Sequence, residues 1–314
     1  MDKVLTVTLN PALDVSTSVG AVRPDIKLRC AAPRIDPGGG GVNVSRAMTK
    51  LGATSVAFIA LGGTTGETLL ARLRDEQIDV VRFDIAGDTR QSFAIREETS
   101  GHQYRFILPG PDWSSTIFEN CLNTLERQIA RDDIVVVSGS FPPGLPPAAA
   151  VETCAVAESR GARALIDTSG PALHALLNTT AGDGRTLIMN KDETEKVAGG
   201  LVDIPGAAAL VRRLVNERRA DTAITTLGAA GAVAASRDGV WHVAPPDAPV
   251  ISKVGAGDSF AAAYVIALSK RQSTEAALRY AMAAATSAIT TSATQLCTRE
   301  GTEAYLSNVD VRAL

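Results

Sequence analysis

Short apolar runs alternate with amphipathic stretches along most of this chain. Residues 4–9 and 56–61 read as strands. So do residues 164–166, 187–189 and 223–225. The run Ile134, Val135, Val136, Val137 is wholly apolar, the pattern of a strand buried on both faces of a parallel sheet. Residues 42–51, 68–74 and 260–268 instead carry apolar positions at helical spacing. In residues 207–215, Leu210, Val211, Leu214 and Val215 fall on one helical face. The alternation predicts an α/β fold with a doubly wound, mainly parallel sheet flanked by helices and joined by right-handed crossovers.

Two regions break the rhythm. Residues 14–34 are too long for a tight loop and alternate weakly through Leu13, Val15, Thr17 and Val19. Residues 92–96 and 103–108 read as a hairpin around Glu98-Thr99-Ser100-Gly101. They are two β-excursions on an ordinary domain, or together they build a small β-sheet lid that excludes water from a site. No repeat, low-complexity tract or linker divides the chain. The expectation is one domain over residues 1–314, with lid segments at 14–34 and 91–108.

Composition narrows the class. The chain has 314 residues, enough for a large core, and a net charge of −3. That balance points away from nucleic acid and membrane surfaces as partners. Cys30, Cys121, Cys154 and Cys297 show no metal-ligand spacing and read as reduced, mostly buried thiols. Met1-Asp2-Lys3 leads straight into a strand, and no apolar run reaches the roughly 18 residues of a membrane helix. A cytoplasmic location is expected.

The chemistry concentrates in glycine-rich turns. Gly255-Ala256-Gly257-Asp258 stands directly before the helical run that starts at Phe260. A helix N-terminus presents unpaired N–H groups and partial positive charge, and glycine lets a phosphate approach them. An aspartate in the same turn is placed to take a proton from an attacking hydroxyl. Earlier, Asp36-Pro37-Gly38-Gly39-Gly40-Gly41-Val42-Asn43 allows close backbone approach, with Asn43 offering a donor and an acceptor to a hydroxyl. Asn43 stands where a dinucleotide fingerprint would have its third glycine, and no Walker A motif occurs.

Other candidates have bland readings of equal or greater weight. Asp14, after Asn10-Pro11, holds sugar hydroxyls or caps a turn. Lys27, Arg29, Arg90 and Arg105 are singly ordinary surface charges; as a cluster they suit an acceptor that already carries phosphate. Asn190-Lys191-Asp192-Glu193 orders water around Mg²⁺ or simply caps a helix. Thr226, Gly228 and Gly231 lie in a strand-to-strand turn that holds nucleotide or is a plain turn. His102, His174 and His242 lie outside every glycine-rich motif.

Taken together and in this order, the motifs resemble the ribokinase-like (PfkB) carbohydrate kinase family over nearly the whole chain. Within it they look most like the minor bacterial type of 6-phosphofructokinase. Lys27-Leu28-Arg29-Cys30, Thr89-Arg90-Gln91, Gln103-Tyr104-Arg105-Phe106, Ser138-Gly139-Ser140-Phe141-Pro142-Pro143-Gly144 and Asp167-Thr168-Ser169-Gly170 carry that likeness. The resemblance implies that Asp14, Gly38, Gly39 and Asn43 hold the sugar, and that Arg90, Arg105 and Ser138 hold its phosphate. It implies that Lys27 reaches phosphates, across to a partner subunit's site. Asn190, Thr226, Gly228 and Gly231 would line the ATP site, and Glu193 would hold Mg²⁺ through water. Gly255, Ala256, Gly257 and Asp258 would be catalytic. A homodimer through the lid is implied as well.

The chain departs from the family in two places. Ile188 and Met189 stand where a lysine and a proline often precede the motif asparagine. Thr290-Thr291-Ser292-Ala293-Thr294-Gln295 lacks the glycine and arginine often found near the family's monovalent-cation loop, leaving a potassium requirement open. The expected reaction is ATP-dependent phosphorylation of fructose 6-phosphate to the 1,6-bisphosphate. Tagatose 6-phosphate or fructose 1-phosphate as acceptor, or a sugar-phosphate-binding regulator impaired in catalysis, remain the alternatives.

Overall fold

A computed structural model describes residues 2–292 and 295–314. In chain order the elements are β1 (Val4–Thr8), β2 (Ala12–Val19), β3 (Arg34–Gly38), α1 (Gly40–Lys50), β4 (Val56–Leu61), α2 (Gly63–Asp75), β5 (Asp79–Asp84), β6 (Arg90–Glu97) and β7 (Gln103–Ile107). They continue with α3 (Ser115–Glu126), β8 (Ile134–Ser138), α4 (Ala149–Ser159), β9 (Arg163–Asp167), α5 (Gly170–Leu177), β10 (Arg185–Asn190), α6 (Lys191–Ala198) and α7 (Ile204–Asn216). The last are β11 (Thr222–Thr226), β12 (Ala232–Ser236), β13 (Gly239–Ala244), α8 (Ala256–Ser269), α9 (Thr274–Ile289), α10 (Arg299–Leu306) and β14 (Asp310–Ala313).

The large sheet has the order β14-β13-β12-β11-β10-β9-β8-β1-β4-β5. From β11 to β5 every neighbouring pair is parallel. β12, β13 and β14 extend it antiparallel. The apolar strands have a simple cause: alternate side chains enter different cores. Leu5, Val7, Val135, Val137, Leu187 and Met189 pack with Phe118 of α3, Cys154 of α4, Leu173 of α5 and Leu210 of α7. Val4, Ile134, Val136 and Ile188 face the opposite way, against Val44 of α1, Phe260 of α8 and Ala281 of α9. With helices on both faces the strand interiors are mostly apolar, and Thr6, buried in the middle of β1, finds its partner in the Ser45 hydroxyl of α1 at 2.7 Å.

The two excursions join in a second sheet, β3-β2-β6-β7. Leu13 enters a third cluster with Val42, Ile59 and Leu69, and Ile35 packs against it. Asp14 pairs with Asp36 on one side and Ser92 on the other, so these residues share the opposite face. The strands differ from the sequence expectation at their edges. β2 starts before residue 14 and residues 20–33 carry no strand or helix, while β6 is longer than the hairpin pattern indicated.

Among the described residues, no helix is long and apolar enough to cross a membrane. Cys121, Cys154 and Cys297 are buried and Cys30 is exposed, all unpaired. Burial pushes the Cys121 and Cys154 thiols up to about 12, which keeps them inert.

Candidate active site

The parallel strands end together beside the first turns of α1 and α8. The cavity there is lined by Gly40, Ser138, Gly139, Asp167, Glu193 and Asp258. It lies outside the carboxyl ends of β8, β9 and β10, where open α/β sheets bind their ligands.

Gly255 starts α8 with φ 78, a left-handed conformation that glycine adopts without strain. A side chain there would also collide with Leu296. The first helical bond runs from Ser259 N–H to Gly255 C=O. The N–H groups of Ala256, Gly257 and Asp258 precede it and have no partner within the helix. No side chain caps this end. The result is an open anion cradle with Asp258 on its rim.

Asp258 accepts a hydrogen bond from Asn43 Nδ2 at 3.0 Å. Burial raises its carboxyl to about 6; the Asn43 bond and Arg46 pull it down, and the Asp14 charge pushes it up. Asp167, at the end of β9, is raised further, to about 7. Burial is the main cause, followed by the charges of Asp258 and Glu193. Sequence reasoning gave Asp167 no role. The available signal was its position, an acid closing an apolar strand at the carboxyl edge of a parallel sheet.

The glycine run is a close-packed template. A Cβ on Gly38 would run into the Asp14 carboxylate, and one on Gly40 would run into Ser138 Oγ. Gly39 has φ 115 and sits against Thr8 and Pro11. From the first turn of α1, Asn43 reaches Asp258 on the cavity wall.

The second sheet supplies cations. Ala12 pairs with Arg90, Asp14 with Ser92, and Ala94 with Arg105, so Arg90, Asp14 and Arg105 lie on one face. Burial raises the Asp14 carboxyl, and Arg90, Arg105 and Arg46 counter that rise. Arg90 is itself lowered by burial, and its Nε donates to the Asn10 carbonyl at 3.2 Å. Lys27 and Arg29 are exposed on the loop after β2 and make no hydrogen bond or ion pair among the described residues.

Asn190 and Glu193 form a reciprocal cap at α6. Asn190 Oδ1 accepts from Glu193 N at 3.0 Å, and Glu193 Oε2 accepts from Asn190 N at 2.8 Å. Glu193 also lines the cavity, and burial raises its carboxyl. The helix cap and the cavity wall are thus one arrangement. Ile188 and Met189, both buried, point into opposite cores, so neither side chain faces the cavity. Thr226 ends β11, and Gly228–Ala230 forms a 3-10 turn closed by Gly231. His242 Nε2 donates to the Ala230 carbonyl at 2.7 Å. In the segment 290–295, Ala293 and Thr294 lie outside the described residues.

This geometry has known counterparts. The chain matches the profile of the pfkB family carbohydrate kinases over residues 8–300. It is 35% identical over 303 residues to the ATP-dependent 6-phosphofructokinase isozyme 2 of Mycobacterium tuberculosis (strain H37Rv), covering 96% of this chain and 88% of that one. It is 34% identical over 314 residues to the enzyme of the same name from Escherichia coli (strain K12), covering 98% and 100%. Solved structures of phosphofructokinase-2 from Escherichia coli share 32% identity and cover 98% of this chain and 99% of that one. The complex with potassium superposes with a TM-score of 0.92. The complex with fructose-6-phosphate and the tetrameric inhibited form each give 0.90.

Proposed function

The chain belongs to the pfkB family of carbohydrate kinases, and from that premise we propose that it moves the γ-phosphate of ATP to the 1-hydroxyl of fructose 6-phosphate. It is an ATP-dependent sugar-phosphate kinase. The observation that carries the reading is Asp258: a partly buried carboxylate, raised to about 6, on the rim of an open helix N-terminus. Asp258 takes the proton of the sugar hydroxyl, whose oxygen attacks the γ-phosphorus in line as ADP leaves. The N–H groups of Ala256, Gly257 and Asp258 stabilise charge on the transferring group.

Acceptor recognition follows from the second sheet. Asp14, Gly38, Gly39 and Asn43 hold the sugar, and Arg90, Arg105 and Ser138 hold its phosphate. The sheet acts as the lid over that pocket, and Lys27 reaches across to a second subunit. Val22, Ile26, Leu28, Phe106, Ile107 and Leu108 are exposed on and beside this sheet. We assign that surface to a homodimer; the Escherichia coli relative has been solved as a tetrameric inhibited form.

Asn190, Thr226, Gly228 and Gly231 line the nucleotide side. Among the described residues no His, Cys, Asp and Glu side chains are grouped to ligate a metal directly. Glu193 and Asp167 are carboxylates on the cavity wall, oxygen donors of the kind that suit a hydrated hard cation. They would hold Mg²⁺ through water, and the bound ion supplies charge neutralisation at the ATP phosphates.

Coupled ADP release, ranked by kcat/KM across fructose 6-phosphate, tagatose 6-phosphate, fructose 1-phosphate and unphosphorylated fructose, tests the assignment. Fructose 6-phosphate is expected to lead. Equal turnover of free fructose would remove the phosphate-binding role of Arg90 and Arg105.

A further inference from the structure

Arg46 lies one helical turn after Asn43 on α1, on the same face. Its side chain is 2% exposed. Nε donates to both oxygens of Glu76, at 3.0 and 2.8 Å, and Nη2 donates to Oε1 at 2.8 Å. Nη2 also stands 3.8 Å from Asp36 Oδ1. Nη1 turns toward the site, donating to the Pro37 carbonyl at 3.1 Å and to Asn43 Oδ1 at 3.4 Å. Glu76 caps the C-terminal end of α2, so the guanidinium ties α2, the glycine run and the base of the cavity together.

A guanidinium only donates hydrogen bonds, and an ionised carboxylate only accepts them. The Asn43 amide is held between one of each, Arg46 and Asp258. Only one orientation satisfies both neighbours: carbonyl toward Arg46, NH₂ toward Asp258. The reversed amide would set N–H against N–H and oxygen against oxygen. We propose that Arg46 is a positioning residue that locks this orientation, so that Asn43 keeps its NH₂ group toward Asp258 and the reacting end of the acceptor. The role rests on the kinase reading above.

The test is a double-mutant cycle in the full-length chain with Arg46→Met, Asn43→Ala and the pair, measured as kcat and KM with fructose 6-phosphate and ATP. With Asn43 present, Arg46→Met is expected to lower kcat/KM by roughly 10- to 100-fold, the usual cost of a group misplaced by about 1 Å. In the Asn43→Ala background the further loss is expected below about threefold, because the residue through which Arg46 acts is gone. A purely structural arginine would cost the same in both backgrounds, and that result overturns the proposal. Where Arg46→Met does not fold, Arg46→Lys carries the same cycle; it keeps the charge and loses the fork. Where Asn43→Ala turns over too slowly, Kd for fructose 6-phosphate without ATP replaces kcat/KM. A wild type inactive on every ketohexose phosphate overturns the kinase reading and this role with it. An active wild type with additive losses overturns the positioning role alone.

Discussion

Asn43 and Asp258, 215 positions apart in the chain, meet through a single N–H···O contact of 3.0 Å. It joins the first turns of α1 and α8, two of the helices that begin at the cavity. Removing the charge while keeping the shape isolates the base. Asp258→Asn is expected to lower kcat by about 10²–10⁴-fold, the usual span for a general base. Fructose 6-phosphate binding, measured by titration calorimetry without ATP, should stay within a few-fold of wild type. Near-full turnover would exclude Asp258 as the base.

Stability and activity should respond to pH in opposite directions. The Asp258 and Asp167 carboxyls are raised from 3.8 to about 6 and about 7. Between those values the folded state holds protons that the unfolded chain has released. Their contribution to stability is therefore complete below the unfolded value and is lost as pH rises through about 6 to 7. With Asp258 as the proposed base, activity requires its ionised form, so kcat/KM is expected to fall as pH drops through about 6. Other groups titrate too, so the diagnostic is a difference. Asp167→Asn should melt above wild type at neutral pH, with the gap closing toward about pH 4. A gap that stays constant with pH would contradict the raised carboxyl.

His242 bears on the turn proposed to hold the nucleotide. It is buried, its Nε2–H holds the Ala230 carbonyl, and its Nδ1 has no partner. His242→Phe keeps the bulk and frees the 3-10 turn between Gly228 and Gly231. A lost buried hydrogen bond costs about 1–3 kcal/mol, so KM for ATP should rise by roughly 5- to 100-fold. KM for fructose 6-phosphate should stay close to wild type. Equal changes in both KM values would mean that the turn serves the whole domain rather than the nucleotide.

Gly40→Ala tests the template on the sugar side. The new methyl would meet Ser138 Oγ and the Gly139 backbone. Overpacking typically costs about 1–3 kcal/mol, so the melting temperature should drop. KM for fructose 6-phosphate should rise with it. A variant with unchanged melting and kinetics would show that the strand end has room to yield.

The central sheet was legible because its short strands are apolar on both faces and alternate with amphipathic helical stretches, the pattern of a parallel layer covered on both sides. Asp258 and the glycines were legible because they form one continuous stretch. Asp167 and Arg46 were not, since each earns its place from neighbours distant in sequence. Asp167 matters through the nearby charges of Asp258 and Glu193, and Arg46 through Glu76 of another helix. Asn190 and Glu193 carried a helix-cap signature and a site signature at once, and the fold satisfies the cap while placing Glu193 on the cavity wall. β13 was missed because it is short and His242 interrupts its apolar run; pairing with β12 and β14 holds it in the sheet.

The glycine run has an evolutionary consequence. Gly38 abuts Asp14, Gly40 abuts Ser138, and Gly39 and Gly41 both abut Thr8, Gly41 with the Val7 carbonyl as well. No single compensating change could make room for side chains at all of these positions, so the stretch is closed to gradual drift. A lineage changing its acceptor would find its accessible steps elsewhere, on the face of the second sheet, where Arg105 is exposed and its replacement would leave the glycine run in place.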